Sequence, residues 1–207
     1  MPCTVTALVL AAGHSRRFGS DKRQHLLSSG QTLLQASLQL PCVQLGEVWL
    51  ALRDDDPAPV GLADNVRILQ SSSSRLGLGH SIATSVAQIS TASNAQGLLV
   101  MLGDMPFIQP ATLAALLAKA DRRLIIRPTY QGKPGHPVLF GREWWPQLCT
   151  LTGDEGAPAC CWAIRRRCAI LNWAILECCW ISTGRVMCPA GINTRQRLPA
   201  PAAPPAA

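Results

Sequence analysis

Short apolar runs alternate with segments of helical periodicity over the first two thirds of the chain. The runs are rich in leucine and β-branched residues, and glycine-rich or polar turns bound them, which predicts buried strands. The predicted strands cover residues 4–10, 47–52, 66–69, 97–102 and 124–127. Between them, apolar residues recur at helical spacing and predict helices over 32–40, 79–89 and 110–119. The first helix is expected to end near Pro41, because proline disrupts helix interiors.

Strands that alternate with helices predict an α/β fold, a doubly wound and mostly parallel sheet with helices on both faces. Ligands of such sheets bind at the carboxyl ends of the strands. Residues 10–22 and 103–108 each follow a predicted strand directly. We therefore expect these two segments to lie at one edge of the sheet.

The first of these segments has the sequence L-A-A-G-H-S-R-R-F-G-S-D-K. Its small residues let the backbone approach a polyphosphate, and successive amides can form an anion-binding concavity. Arg16, Arg17 and Lys22 add cationic donors that counter phosphate charge. The spacing fits neither the Walker A loop nor the dinucleotide motif G-x-G-x-x-G. Composition alone leaves a solvated basic loop as the alternative.

The second segment, G-D-M-P-F-I, places Asp104 at the end of a buried strand. Mg²⁺ takes one or two protein carboxylates and completes its shell with phosphate oxygens and water. One aspartate at a strand end, facing a triphosphate, suits that chemistry. The alternative role is a cap for the helix after Pro110, but Asp104 lies six residues too early for that.

Two further segments have the composition of binding loops. Residues 71–81, S-S-S-S-R-L-G-L-G-H-S, connect a strand to a helix, and a flexible linker is the alternative. Residues 128–140, P-T-Y-Q-G-K-P-G-H-P-V-L-F, could be a hairpin whose glycines and prolines form turns. A turn does not account for the imidazole of His136 between glycine and proline, which favours contact with a substrate.

Together these motifs resemble the nucleotidyltransferases with a MobA-like fold. Within them, A-A-G-x-S-R-R-F-G-x-x-K and G-H-P-V-L-F most resemble the molybdenum cofactor cytidylyltransferases. Phe18 departs from the methionine that is usual in that loop. Ala12 favours cytidylyl transfer, since the related guanylyltransferases more often carry L-A-G-G. The resemblance implies a Rossmann-like nucleotidyltransferase fold.

The resemblance also implies an activity: CMP is transferred from CTP to the molybdopterin cofactor, pyrophosphate is released, and Mg²⁺ is bound by Asp104. The implied catalytic residues are Arg16, Lys22 and Asp104. The implied nucleotide-binding residues are Leu10, Ala11, Ala12, Gly13, Ser15, Arg17, Lys22, Gly77, Gly79 and Ser81. The implied substrate-binding residues are Gly135, His136 and Pro137.

Other functions stay open at this point. The same fold supports GTP-dependent guanylyl transfer or nucleotidyl transfer to a sugar phosphate. A non-catalytic nucleotide-binding protein that assists maturation of a molybdoenzyme partner is a second class. A basic nucleic-acid-binding protein is a third, but the charge distribution argues against it. Residues 1–157 carry 13 basic and 11 acidic side chains, whereas the net charge from Pro158 onward is +5.

The positions of the cysteines and the lengths of the apolar runs bear on metal sites, disulfides and the cellular location of the protein. Six of the nine cysteines lie after residue 157, none forms C-x-x-C, and adjacent pairs suit neither a zinc site nor a disulfide framework. The chain contains no run of eighteen apolar residues, so we expect no membrane span. The first residues lack the basic and apolar regions of a secretory signal, so we expect a cytoplasmic protein.

The resemblance stops abruptly after G-D-E-G-A at residues 153–157. We therefore predict a nucleotidyltransferase domain over 1–157 and an atypical, partly disordered tail over 158–207. With GC-rich codons, the bases that encode residues 157–161 can also encode A-R-x-L-L when each codon is read one base earlier. In the same way, the bases for residues 177–189 can encode V-L-L-D-I-D-R-P-G-D-V-P. The second sequence contains the family's C-terminal metal motif, D-I-D-x-P-x-D. A changed reading frame near Ala157 would remove a metal aspartate and weaken or abolish activity.

Overall fold

The computed structural model describes residues 3–13, 21–130 and 133–153, together with three strands at 168–172, 180–182 and 185–187. The strands are β1 Val5–Leu10, β2 Val48–Arg53, β3 Val66–Ser71, β4 Gly97–Leu102, β5 Ile125–Tyr130, β6 Lys133–Pro134, β7 Val138–Gly141, β8 Cys168–Asn172, β9 Trp180–Ser182 and β10 Arg185–Met187. The helices are α1 Leu33–Gln44, α2 Leu78–Ala92, α3 Pro110–Ala118 and α4 Trp145–Leu148.

Eight of the strands form one sheet in the order β3-β2-β1-β4-β7-β5-β6, with β8 paired to β5. The pairs among β1 to β4 are parallel, and β8 is parallel to β5. Strand β7 is antiparallel to both of its neighbours, β4 and β5. The remaining strands, β9 and β10, form a separate antiparallel pair. The sheet is therefore mixed but mostly parallel, as the alternation of strands and helices predicts.

Each face of the sheet carries its own apolar core, which is why the central strands are apolar at nearly every position. Leu8 and Val100 point toward α2 and α4, and they pack with Ile82 and Trp145. The alternate strand residues, such as Val9, pack on the opposite face against α1 and α3. Helices thus cover both faces, which confirms the predicted fold class.

Helix α1 continues past Pro41 to Gln44, so the predicted end near Pro41 is wrong. The helix begins with a capping box, in which Thr32 and Gln35 satisfy each other's backbone amides. Pro41 is buried within the helix. A proline removes one helical hydrogen bond, and burial of its ring against the core offsets part of that loss.

The segment after β5 forms a hairpin with β6, and the chain then enters the sheet again as β7. A Cβ atom at Gly141 would overlap the backbone of Asp121 and Arg122, so glycine is required at the end of β7. Strands β8 to β10 fall within residues 158–207, where no regular element was predicted. The domain boundary at 157 and the changed reading frame stay predictions.

Candidate active site

Lys22, in the segment of residues 10–22 that is called the phosphate loop below, and Asp104 lie side by side. Leu10 at the end of β1 pairs with Leu102 at the end of β4, so the chain leaves both strands at the same edge. A short 3-10 helix begins at Lys22. The Nζ atom of Lys22 lies 2.9 Å from Oδ2 of Asp104. Two residues that are 82 positions apart in the chain therefore form one site.

A cavity of about 500 Å³ opens at this edge of the sheet. Its walls come from the ends of β1 and β4, the 3-10 helix, and the connection between β3 and α2. The predicted site residues that line it are Leu10, Ala11, Ala12, Gly13, Lys22, Gly77, Ser81 and Asp104. Ser15, Arg16 and Arg17, which were also predicted, lie outside the described residues.

Asp104 has the donor atoms that a divalent cation needs. Its Oδ2 accepts the hydrogen bond from Lys22, while its Oδ1 is enclosed and has no hydrogen-bond partner among the described residues. Buried carboxylate oxygens are normally satisfied. In the described part of the chain, no group of three or more His, Cys, Asp or Glu side chains is arranged so that it could hold a metal ion. A cation at Asp104 would thus depend on ligand oxygens and water for the rest of its shell.

The connection between β3 and α2 is shaped by Gly77. Its φ of +116° is a conformation that favours glycine, and its carbonyl accepts a hydrogen bond from the Ser81 amide at 3.2 Å. Gly77 and Leu78 line the cavity, so the positive end of α2 borders it. Gly79 does not line the cavity, and its amide donates to the carbonyl oxygen of Gly153 at 2.8 Å.

His136 precedes a cis peptide bond to Pro137 and lies near the same site. Burial, assisted by the charge of Arg127, lowers the pKa of His136 to about 4. The charge of Asp104 and a backbone hydrogen bond at Val100 act in the opposite direction without overcoming this. The imidazole is therefore neutral at neutral pH. Gly135, His136 and Pro137 are not among the residues that line the cavity, and their contact with a substrate stays a prediction.

The sequence analysis missed Arg23, a buried cation that donates to the carbonyl oxygen of Ala11. Its side chain is only 10% exposed and is paired with Asp21 and Asp56. Burial tends to raise the pKa of Asp56, but hydrogen bonds from Arg23 and Arg53 outweigh it and hold that pKa well below its usual range. Charged residues in loops are usually solvated, and no spacing rule connects residues 23 and 56.

Comparison with known proteins identifies the family. Residues 7–168 match the family model described as MobA-like NTP transferase domain. The chain belongs to this family. It is also 37% identical over 114 residues to a probable molybdenum cofactor guanylyltransferase from Chloroflexus aggregans. That alignment covers 54% of this chain and 51% of the relative, so the chain matches about half of the relative's length.

Solved structures have the same fold. Rv0371c from Mycobacterium tuberculosis H37Rv superposes with a TM-score of 0.72 at 25% identity, over 88% of this chain and 94% of that chain. The manganese complex of Rv0371c gives a TM-score of 0.67 at 23% identity, over 88% and 95%. The family match shows a MobA-like NTP transferase domain, and the relative named as a guanylyltransferase does not support the predicted preference for CTP. In the described part of the chain, no helix has the length and apolarity needed to cross a membrane.

Proposed function

We propose that this nucleotidyltransferase transfers CMP from CTP to the molybdopterin cofactor and releases pyrophosphate. The observation that carries the proposal is the pair of Lys22 and Asp104, which lies in one cavity with the small residues of the loop after β1. A triphosphate needs cationic donors, backbone amides and a metal carboxylate at the same place. Lys22, the backbone of Ala12 and Gly13, and Asp104 are the candidates for these three roles in the cavity.

The residues act by positioning and by neutralising charge. Amides of Ala12 and Gly13 and the ammonium of Lys22 would bind the phosphates, with Arg16 as a further donor. Asp104 would hold Mg²⁺, which when bound supplies Lewis-acid stabilisation of the phosphate oxygens. A terminal phosphate oxygen of the acceptor forms a bond to the α-phosphorus of CTP as the bond to the pyrophosphate oxygen breaks. Pyrophosphate leaves, and no covalent enzyme intermediate forms.

The choice of CTP depends on two sequence features, Ala12 in the loop and the segment G-H-P-V-L-F that contains His136. A GTP-dependent guanylyltransferase is the second candidate, and the relative named as a probable guanylyltransferase favours it. Manganese in the complex of Rv0371c supports a divalent cation in this fold. Nucleotidyl transfer to a sugar phosphate uses the same nucleotide-binding groups.

The test combines calorimetric titration of CTP and GTP in the presence of Mg²⁺ with pyrophosphate release in the presence of molybdopterin cofactor. Asp104→Asn removes the carboxylate charge with little change in shape. We expect it to lower CTP-dependent turnover at least about a hundredfold, because metal stabilisation of the transition state is worth several kcal/mol. Asp64→Asn, at an exposed position, is the matched control.

Each result distinguishes the candidates. Turnover with CTP supports the proposal, and turnover with GTP alone replaces it with guanylyl transfer. Binding of CTP and Mg²⁺ without turnover supports a non-catalytic partner of a molybdoenzyme. If neither nucleotide binds, the assignment of the cavity is wrong. Because the proposed frame change removes the D-I-D motif, we expect turnover of this chain to be weak.

A further inference from the structure

All the hydrogen-bond donors of the Arg23 side chain are used within the protein. Its Nη1 donates to the carbonyl oxygen of Ala11 at 2.8 Å and to Oδ2 of Asp56. Its Nη2 donates to Oδ1 of Asp56 at 2.7 Å and to Oδ2 of Asp21 at 2.6 Å. Its Nε donates to Asp21 at 2.9 Å. A guanidinium has five N–H groups, so Arg23 retains no donor for a phosphate.

Arg23 fixes both ends of the phosphate loop. Ala11 is near the start of the loop, and its carbonyl oxygen accepts from Arg23 while its amide donates to Ala51 of β2 at 2.9 Å. Asp21 is near the end of the loop and accepts from both the backbone amide and the side chain of Arg23. Lys22 lies between Asp21 and Arg23, so its backbone is held on both sides.

The anchor of this arrangement is Asp56, which follows β2 and is nearly inaccessible to solvent. Its carboxylate also accepts from Arg53 at 2.6 Å and 3.0 Å. Its backbone carbonyl accepts from Gln70 of β3 at 2.7 Å. The loop is thereby connected to the ends of two strands that carry no residue of the predicted site.

We propose that Arg23 is a positioning residue that holds Ala11 and Asp21, and through them sets Lys22 against Asp104. This inference rests on the proposed function, since it assigns a role in nucleotide binding. Arg23 is distinct from the phosphate-binding cations because its donors are saturated and its charge is compensated by Asp21 and Asp56. A lysine at position 23 would keep the charge, but one ammonium cannot reproduce the fork of contacts to Ala11, Asp21 and Asp56.

The test compares Arg23→Lys with Arg142→Lys. Arg142 is the matched control, because its guanidinium also donates to several backbone carbonyls, at the far end of α2 and away from the cavity. We expect both variants to lose thermal stability. Only Arg23→Lys should bind CTP–Mg²⁺ about tenfold more weakly, as is typical when a supporting hydrogen bond behind a binding group is lost. Affinity is measured by calorimetry below both melting temperatures.

A second readout needs no nucleotide. Hydrogen exchange of the peptide that contains Ala11 to Gly13 should accelerate in ligand-free Arg23→Lys and remain unchanged in Arg142→Lys. If wild-type protein binds neither CTP nor GTP, the proposed function fails, and the exchange experiment still decides the role of Arg23. Equal losses of affinity in the two variants, or unchanged exchange in Arg23→Lys, would overturn the inference.

A third variant covers the case in which Arg23→Lys does not fold. Asp56→Asn keeps the shape of the side chain but removes its negative charge, which weakens its interaction with Arg23. We expect the same direction of change in CTP–Mg²⁺ affinity and in loop exchange. Where Arg23→Lys does fold, a double-mutant cycle of the two variants should give losses of affinity that are less than additive, because both variants disrupt one contact. Full additivity, or wild-type behaviour of Asp56→Asn, contradicts the proposed coupling.

Discussion

The backbone amide of Gly103 donates a hydrogen bond of 2.9 Å to the carbonyl oxygen of Leu10. The bond joins the residue before Asp104 to the residue at which the phosphate loop begins. The approach is close, since a Cβ atom at Gly103 would lie 3.0 Å from Cβ of Ala11 and 3.2 Å from Cδ1 of Leu34. The distance between Asp104 and the residues that follow β1 therefore depends on the absence of a side chain at position 103.

We predict that Gly103→Ala separates the two halves of the site. Overpacking of this kind costs about 1–3 kcal/mol of stability, and the resulting shift should weaken CTP–Mg²⁺ binding as well. Urea unfolding and calorimetric titration measure the two effects. Gly46→Ala is the control, because a Cβ atom there has nothing within 4 Å. Unchanged affinity in Gly103→Ala would show that the loop tolerates the displacement.

The pKa of the partly buried His136 imidazole leads us to expect a pH dependence of stability. The pKa of His136 is lowered from 6.5 to about 4 in the folded protein, chiefly by burial. Between these values the unfolded chain binds the proton and the folded chain does not, so stability is full above pH 6.5 and falls as the pH is lowered toward 4. This group alone should cost about 2 kcal/mol at pH 5 relative to pH 7.

The measurement is the free energy of unfolding in urea at both pH values, for the wild type and for His136→Gln. Arg127 and Asp104 are the charged groups that influence the imidazole, and both remain in the variant. The variant should lose less stability on acidification by about the amount attributed to His136. An identical loss in the two proteins would mean that His136 is protonated as easily in the folded state as in the unfolded chain.

We expect replacement of Arg142 to lower the free energy of unfolding without changing nucleotide affinity. Its guanidinium donates to the carbonyls of Ser90, Ser93 and Ala95 and lies 4.1 Å from the ring centre of Trp145. Arg142→Met keeps the apolar stem but leaves these carbonyls without their donor, and we expect a loss of about 2 kcal/mol. Arg123→Met, at a side chain that is 73% exposed, should stay within about 0.5 kcal/mol of the wild type. Thermal and urea unfolding compare them.

The changed reading frame is tested by sequencing the gene. We expect the codons for residues 157–161 and 177–189 to encode A-R-x-L-L and the D-I-D motif when they are read one base earlier. A chain with the restored frame should gain turnover over the chain described here, since it regains a metal aspartate. Codons that cannot yield D-I-D in the neighbouring frame end the hypothesis.

Much of the fold follows from the sequence, because buried parallel strands are apolar on both faces and so stand out from amphipathic helices. Five predicted strands and three predicted helices are confirmed, with ends that differ by a few residues. The neighbouring positions of Lys22 and Asp104 were also predictable. Both follow strands of a parallel sheet, and the ends of such strands meet at one edge.

The rest depends on contacts between distant residues. The pairing of Arg23 with Asp56 joins a loop to a run of three aspartates that has the composition of a solvated turn. The extension of α1 past Pro41 depends on the core that buries the ring. In the sheet β7 lies next to β4 and β5 lies beyond it, although β5 precedes β7 in the sequence. The periodicity of apolar residues within a strand carries no information on the order of strands in a sheet.

The reversed direction of β7 has a consequence for how such domains diversify. Strand β7 is antiparallel to both β4 and β5, so β5 runs in the same direction as β4 and β1. The connection from β5 to β7, which contains His136, therefore begins and ends at the edge of the sheet where β1 and β4 end. This connection contains β6 and is separate from β1 and β4, the strands that precede Lys22 and Asp104. Contact of this connection with the acceptor is the prediction made for His136, so we expect an exchange of residues 131–137 to change the acceptor while β1 and β4 keep their places in the sheet.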